Sequence, residues 1–190
     1  MSNASPVGYD GMWLPARQDP RWQQKARPEG ELATYRAYLD RYRLTLELKC
    51  QDLTPEQLAT RSVPPSNLSL LGLVRHMAAV EHNWFQRVAR ATGESRLYGP
   101  EGEHDHDFEA AVGTTECVED AFATWKGEIG KADAWIESVP ESDLGREMRF
   151  PHGDGTVSVR SLLVHMIEEY ARHCGHADLL RECLDGRTGQ

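Results

Sequence analysis

Residues 165–178 read HMIEEYARHCGHAD, a stretch typical of a helix. Glu169 and His173 stand four positions apart within it. On an α-helix, residues at this spacing project from the same face, one turn above the other. Two such side chains can hold one metal ion, and a third ligand from another element would complete a site with open coordination positions. The stretch therefore predicts two ligands of a metal centre.

The neighbouring polar residues share this face of the helix. At about 100° per residue, four metal-competent side chains fall within about 80° of arc: His165, Glu169, His173 and His176. Taken singly, each is more often a hydrogen-bonded structural residue, and Glu169 could simply pair with Arg172. The set as a whole favours a metal site. It leaves open whether His165 or His176 takes the place of Glu169 as a ligand.

The third ligand must come from a facing helix, and His76 is the best candidate. It lies in the apolar stretch 70–80 on the phase of three core-type residues, Leu73, Val80 and Trp84. His82 falls on the opposite, more polar side and is expected to be exposed. Residues 104–107, His-Asp-His-Asp, lie in an acidic loop, where we expect adventitious surface binding at most.

The rest of the chain predicts an all-α four-helix bundle, because no segment shows a convincing strand pattern. Residues 1–30 form an irregular arm, with Trp13 and Trp22 packing it onto a domain that spans residues 31–190. The expected helices run from Glu31 to about Cys50, from the cap Ser69 to about Ala91, over about Thr115–Ser138, and from the cap Ser158 to about Leu184.

Charge and composition narrow the function. A formal net charge of −9 argues against a nucleic-acid partner, because binding phosphates requires a basic surface. No run approaches the ~20 apolar residues of a membrane span, and no signal peptide is visible, so we expect a cytoplasmic protein with no membrane partner. The cysteines show no CxxC spacing and are expected to be reduced thiols: Cys50, Cys117, Cys174 and Cys183. Cys174 lies about 100° from His173, off the histidine face.

Two segments resemble the DinB/YfiT-like superfamily, and more narrowly its DUF664 branch. They are residues 66–85, beginning SNLSLLGLVRH, and residues 165–186. The resemblance covers about residues 31–188. It implies a four-helix bundle that holds one divalent metal through a histidine on the second helix and two residues four apart on the last. In this chain, the corresponding ligands are His76, Glu169 and His173. Zinc, nickel and manganese are all compatible with this set of ligands.

The resemblance also implies a function. Characterised relatives are thiol-dependent transferases or isomerases that use mycothiol or bacillithiol, so we expect a thiol S-transferase acting on small electrophiles in detoxification or stress response. Arg172 could bind a substrate carboxylate, and a homodimer is plausible in this superfamily. Two alternatives are a metal-dependent hydrolase and a non-catalytic metal- or ligand-binding bundle. A pocket wide enough for a glycosylated thiol, with a polar or cationic rim, would favour the transferase.

Overall fold

The computed structural model describes residues 13–15, 18–22, 28–101 and 105–189. Its α-helices are α1 (Glu31–Lys49), α2 (Pro55–Leu58), α3 (Leu70–Glu81), α4 (His106–Glu109), α5 (Thr115–Ser138) and α6 (Val159–Asp185). Short 3-10 turns lie at Pro20–Trp22 and Glu141–Gly145, and two strands are β1 (Glu147–Arg149) and β2 (Thr156–Ser158). None of the described helices is long and apolar enough to cross a membrane.

The four long helices pack as a bundle, as the sequence predicts. α1 lies against α6, and α3 lies against both α5 and α6. Leucine, methionine and aromatic side chains from all four fill the centre, and the largest of them, Trp125, Phe85 and Tyr170, are almost completely buried. This packing brings α3 and α6, the two helices with the candidate ligands, side by side.

Helix starts are set by the expected side-chain caps. The hydroxyl of Ser69 accepts a hydrogen bond from the backbone N–H of Gly72, and Ser158 accepts one from Ser161. These bonds satisfy N–H groups that have no partner within the helix. α6 ends at Gly186, whose φ of 75° lies in the left-handed region that glycine adopts without strain.

The second long helix departs from a regular α-helix. After Glu81 it continues as a π-helical segment, His82–Ala89. His82 is only 3% exposed, so its expected exposure was wrong. Its ring lies 3.0 Å from the carbonyl of Ser95 and 3.3 Å from Glu128, because α5 and the loop after the π segment cover this face with polar partners.

A small hairpin is present although the sequence shows no convincing strand pattern. β1 and β2 are antiparallel, with Met148 opposite Val157. Met148 is buried, which anchors the hairpin to the bundle. Each strand has three residues, too few for the alternation of apolar and polar residues that reveals a strand in a sequence.

A buried polar network joins all four long helices. Arg43 of α1 donates two hydrogen bonds, of 2.8 and 2.9 Å, to the carboxylate of Glu81 on α3. The hydroxyl of Tyr170 on α6 donates to the same carboxylate at 2.8 Å and accepts from the indole N–H of Trp125 on α5 at 2.8 Å. Satisfied networks of this kind fix how helices are placed relative to one another. This one holds α3 and α6 in register behind the candidate ligands.

The N-terminal arm is described only in part. The indole ring of Trp13 is buried against the bundle, with the Nζ of Lys49 3.9 Å and the Cζ of Arg187 3.7 Å from its centroid. Residues 1–12, 16–17 and 23–27, and the side chain of Trp22, lie outside the described residues. The irregular arm over residues 1–30 and the domain boundary at 31 stay predictions.

Candidate metal centre

Three predicted residues meet between α3 and α6. His76, Glu169 and His173 each present one ligand atom, and these atoms all lie within 4.8 Å of one another. The Nε2 atom of His173 is 3.4 Å from Oε2 of Glu169, which is the contact expected one turn apart on a helix. The centroids of the His76 and His173 rings are 4.6 Å apart.

His76 is held by the carboxylate of Asp107, a residue that the sequence pattern assigned to an acidic loop. Its Nδ1 atom lies 2.7 Å from Oδ2 of Asp107, and its ring stacks on Phe108 with centroids 4.9 Å apart. Burial raises the pKa of Asp107, but the hydrogen bond and charge of His76 outweigh it, so this pKa lies below its usual value. An ionised Asp107 accepts the proton on Nδ1, which leaves the lone pair of Nε2 for a ligand.

Asp107 was therefore wrongly grouped with a surface loop. The exposed fraction of its side chain is 12%, and it belongs to the short helix α4. One signal could have revealed it: Phe108 is a single apolar residue inside a polar run, and it is buried against Gly72 of α3. His104 lies outside the described residues.

His173 is the most deeply buried of the three. Burial lowers its pKa to about 3, with further lowering by His76, His176 and Arg172. The ring is therefore neutral at physiological pH, as a metal ligand must be. Its Nδ1 atom lies 3.3 Å from Nδ1 of His176, so one of these nitrogens donates and the other accepts. This contact leaves Nε2 of His173 facing Glu169.

The two oxygens of Glu169 have different partners. Oε2 faces His173, while Oε1 lies 3.5 Å from Nε2 of His165 and 3.2 Å from Nη1 of Arg172. Arg172 also binds Glu168 at 2.7 Å, so its guanidinium already contacts two carboxylates. His165 contacts Glu169, and His176 contacts His173. These contacts favour His76, Glu169 and His173 as the ligand set. A substrate contact for Arg172 stays a prediction.

The donor set suits a divalent metal. Metal–ligand bonds of about 2.0–2.2 Å separate neighbouring donor atoms by roughly 3–4 Å, and the 3.4 Å contact between His173 and Glu169 already meets this. Two imidazole nitrogens and one carboxylate oxygen are compatible with zinc, nickel or manganese. Three protein ligands leave further positions for a substrate.

A cavity of about 290 Å³ opens beside His76. His76 and Asp107 lie in its wall, and Val80, Trp84 and Leu97 provide apolar surface. Its polar lining comprises His82, Asn83, Arg87, Arg96 and Glu101. Three of these polar residues and Trp84 belong to the π-helical segment, a type of helix that is frequent at functional sites.

Cys174 is excluded as a nucleophile of this site. Its thiol lies 3.5 Å from the carbonyl of Tyr42, on the far side of α6 from the histidines. Burial raises its pKa to about 12, so the group stays a thiol at physiological pH.

The bundle and its site define a protein of the DinB/YfiT-like class. Residues 34–186 match the mycothiol S-transferase family, and the chain belongs to that family. A conserved protein from Enterococcus faecalis shares the fold, with a TM-score of 0.63 and 18% sequence identity over 83% of this chain and 99% of the other. Comparison with curated proteins gave no match. The DUF664 assignment stays a prediction.

Proposed function

We propose that this protein is a divalent-metal-dependent S-transferase that joins a mycothiol-type thiol to small electrophiles. The observation that carries the proposal is the convergence of His76, Glu169 and His173 between α3 and α6, where His76 also lines a cavity. Membership of the mycothiol S-transferase family supports the choice of cosubstrate. In the reaction, the S–H bond of the thiol breaks and its proton passes to water. The sulfur then bonds to the electrophilic carbon, and the leaving group departs with its bonding electrons.

Zinc, nickel or manganese held by these residues would lower the pKa of a coordinated thiol and so supply a thiolate near neutral pH. Asp107 orients the ring of His76 and fixes its proton on Nδ1. His176 does the same for the orientation of His173, and Arg172 and His165 hold one oxygen of Glu169 so that the other faces His173. The side chains are therefore positioned before any substrate arrives.

The test is conjugation of mycothiol to monochlorobimane, followed by fluorescence. We expect wild-type protein to accelerate conjugation and His76→Ala to lose more than about 100-fold of that rate. Lys126→Ala is the control, because Lys126 is exposed and pairs with Glu47 across the surface of the bundle. Consumption of the electrophile without added thiol would show a hydrolase. Metal binding without turnover of any electrophile would show a binding bundle.

A homodimer, a cytoplasmic location and a role in detoxification remain predictions from the sequence. A dimer is tested by analytical ultracentrifugation of wild-type protein.

A further inference from the structure

A buried arginine stands next to His76 on α3 and contacts the same aspartate. Arg75 is 7% exposed, and its Nε atom donates a hydrogen bond of 2.9 Å to the backbone carbonyl of Asp107. His76 contacts the carboxylate of the same residue at 2.7 Å. Two consecutive residues of α3 therefore hold Asp107, one at its backbone and the other at its side chain.

The short helix that carries Asp107 needs contacts of this kind. α4 has four residues, and its N-cap, Asp105, makes no side-chain cap hydrogen bond and has a φ of 71°. A helix of this length is not stable by itself in water. The carbonyl of Asp107 lies in the last turn, where carbonyl groups have no partner within the helix. The hydrogen bond from Arg75 supplies a partner and fixes where Asp107 stands relative to α3.

Phe108 provides the apolar part of the same attachment. Its ring stacks on that of His76, and a Cβ atom added at Gly72 would lie 2.9 Å from Cδ1 of this ring. Apolar packing is non-directional, so it holds α4 against α3 without selecting one orientation of the Asp107 carboxylate. The hydrogen bond from Arg75 does have a preferred direction.

Tyr98 holds the guanidinium group in turn. The Cζ atom of Arg75 lies 4.1 Å from the centroid of the Tyr98 ring, which is a cation–π contact. The ring covers one face of the planar guanidinium and leaves its edge, with Nε, for the carbonyl of Asp107. The loop that contains Tyr98 is thereby joined to α4 through Arg75.

We infer that Arg75 is a positioning residue of the candidate metal centre. By holding the backbone of Asp107, it keeps the carboxylate within hydrogen-bond distance of Nδ1 of His76, so Nε2 stays directed at Glu169 and His173. Arg75 provides no ligand atom and acts through Asp107. The inference rests on the proposed function, because it assumes that His76 holds a metal.

Zinc affinity, measured by competition with a fluorescent chelator, is the first test. Arg75→Met removes the donor and should weaken zinc binding by about 10-fold, the lower end of the cost of disturbing the groups that orient a metal ligand. Arg181→Met is the matched control. Arg181 is 2% exposed, donates to the carbonyls of Lys49 and Gln51 at the end of α1 and lies 5.1 Å from the Trp13 ring. It should keep wild-type zinc affinity. Unchanged affinity in Arg75→Met would overturn the inference.

A double variant tests whether Arg75 acts through Asp107. Residues that share one set of contacts do not have additive effects. In protein that already carries Asp107→Asn, Arg75→Met should therefore weaken zinc binding by less than about 3-fold. Two losses that multiply in full would show that Arg75 acts by another route, and the inference would be wrong.

Tyr98 offers a second pair of variants if Arg75→Met does not fold. Tyr98→Leu removes the aromatic face and should weaken zinc binding by about 2–5-fold. Tyr98→Phe keeps the ring that contacts the guanidinium and should match wild-type protein. In that case, equal zinc affinity in the two variants would overturn the inference.

Proton NMR of the metal-free protein separates this inference from the transferase function. A proton on Nδ1 of His76 that is hydrogen-bonded to a carboxylate gives a downfield resonance and exchanges slowly with water. We expect this resonance in wild-type protein and in Arg181→Met, and we expect Arg75→Met to lose it.

The combined results distinguish the two ideas. Conjugation of mycothiol by wild-type protein, with zinc affinity and the Nδ1–H resonance unchanged in Arg75→Met, would overturn the inference alone. The expected losses in Arg75→Met, without conjugation of any thiol by wild-type protein, would uphold the positioning role and overturn the transferase function. Wild-type protein that binds no zinc, nickel or manganese would overturn both.

Discussion

The Nδ1 atom of His76 lies 2.7 Å from Oδ2 of Asp107, a residue 31 positions further along the chain. This contact joins α3 to the short helix α4 and decides which nitrogen of the imidazole carries the proton. A ring held in this way presents Nε2 towards Glu169 and His173 without losing conformational freedom on metal binding. Asp107 is therefore part of the site although it provides no ligand atom.

Asp107→Asn should weaken metal binding by about 10–100-fold, because a neutral amide accepts the Nδ1 proton less strongly than a carboxylate. The measurement is competition with a fluorescent chelator. Glu109→Gln is the matched control, since Glu109 is exposed on the same short helix. Equal metal affinity in wild-type protein and Asp107→Asn would show that the contact has no role in the site.

Tyr170→Phe should lower the free energy of unfolding by about 1–3 kcal/mol, because it leaves the buried indole N–H of Trp125 without its acceptor and removes one donor from Glu81. Urea denaturation measures this change. Tyr38→Phe alters a tyrosine that is 46% exposed and should change stability by less than about 0.5 kcal/mol. A similarly small change for Tyr170→Phe would mean that the network contributes little to holding α3 and α6 together.

The cysteines should differ sharply towards iodoacetamide in the folded protein. Cys183 is exposed, whereas Cys174 is buried with a pKa raised to about 12. Reaction requires an accessible thiolate, so Cys183 should be labelled at neutral pH and Cys174 only after unfolding. Peptide mass spectrometry gives the extent of labelling at each cysteine. Early labelling of Cys174 would contradict its exclusion as a nucleophile.

The metal-free protein should lose stability as the pH falls below the ordinary value for histidine. The folded-state pKa of His173 is about 3, against 6.5 for an unperturbed ring. Between these values the unfolded chain binds a proton that the folded protein does not, so the free energy of unfolding rises with pH across this window and falls on acidification. The loss on going down to about pH 5 should be at most about 2 kcal/mol.

His173→Asn removes this contribution and should give a shallower dependence of unfolding free energy on pH over the same window. The other titratable groups are common to both proteins, so the difference between the two curves isolates His173. Parallel curves would contradict a neutral, buried ring at this position.

Periodicity was sufficient to predict the bundle and to place His165, Glu169, His173 and His176 on one face of the last helix, because residues three or four apart on a helix must share a face whatever packs against them. The choice of His76, Glu169 and His173 as ligands came from the family resemblance. Asp107 and the cavity could not be found in this way. Asp107 reaches His76 only through the fold of a short helix after a loop, and residues 93–107 show no period that places them in space. The π-helical segment changes the phase after Glu81 through backbone hydrogen bonds, which side-chain patterns do not reveal.

His82 also shows what periodicity cannot predict. Its position on a polar face was correctly derived, but a polar face is not always an exposed one. Glu128 of α5 and the carbonyl of Ser95 supply polar partners, so the face is buried without cost to the histidine. Only the arrangement of helices shows which polar faces meet each other.

Elemental analysis of untagged protein purified without added metal tests most directly whether His76, Glu169 and His173 hold a metal. Wild-type protein and His176→Ala should each contain about one equivalent of a divalent metal, and His76→Ala and His173→Ala should contain almost none. Glu169→Gln should lose metal while His165→Ala keeps it. Wild-type protein that holds no metal, even after zinc, nickel and manganese are added back, would contradict a metal site and leave these histidines as structural residues of the bundle.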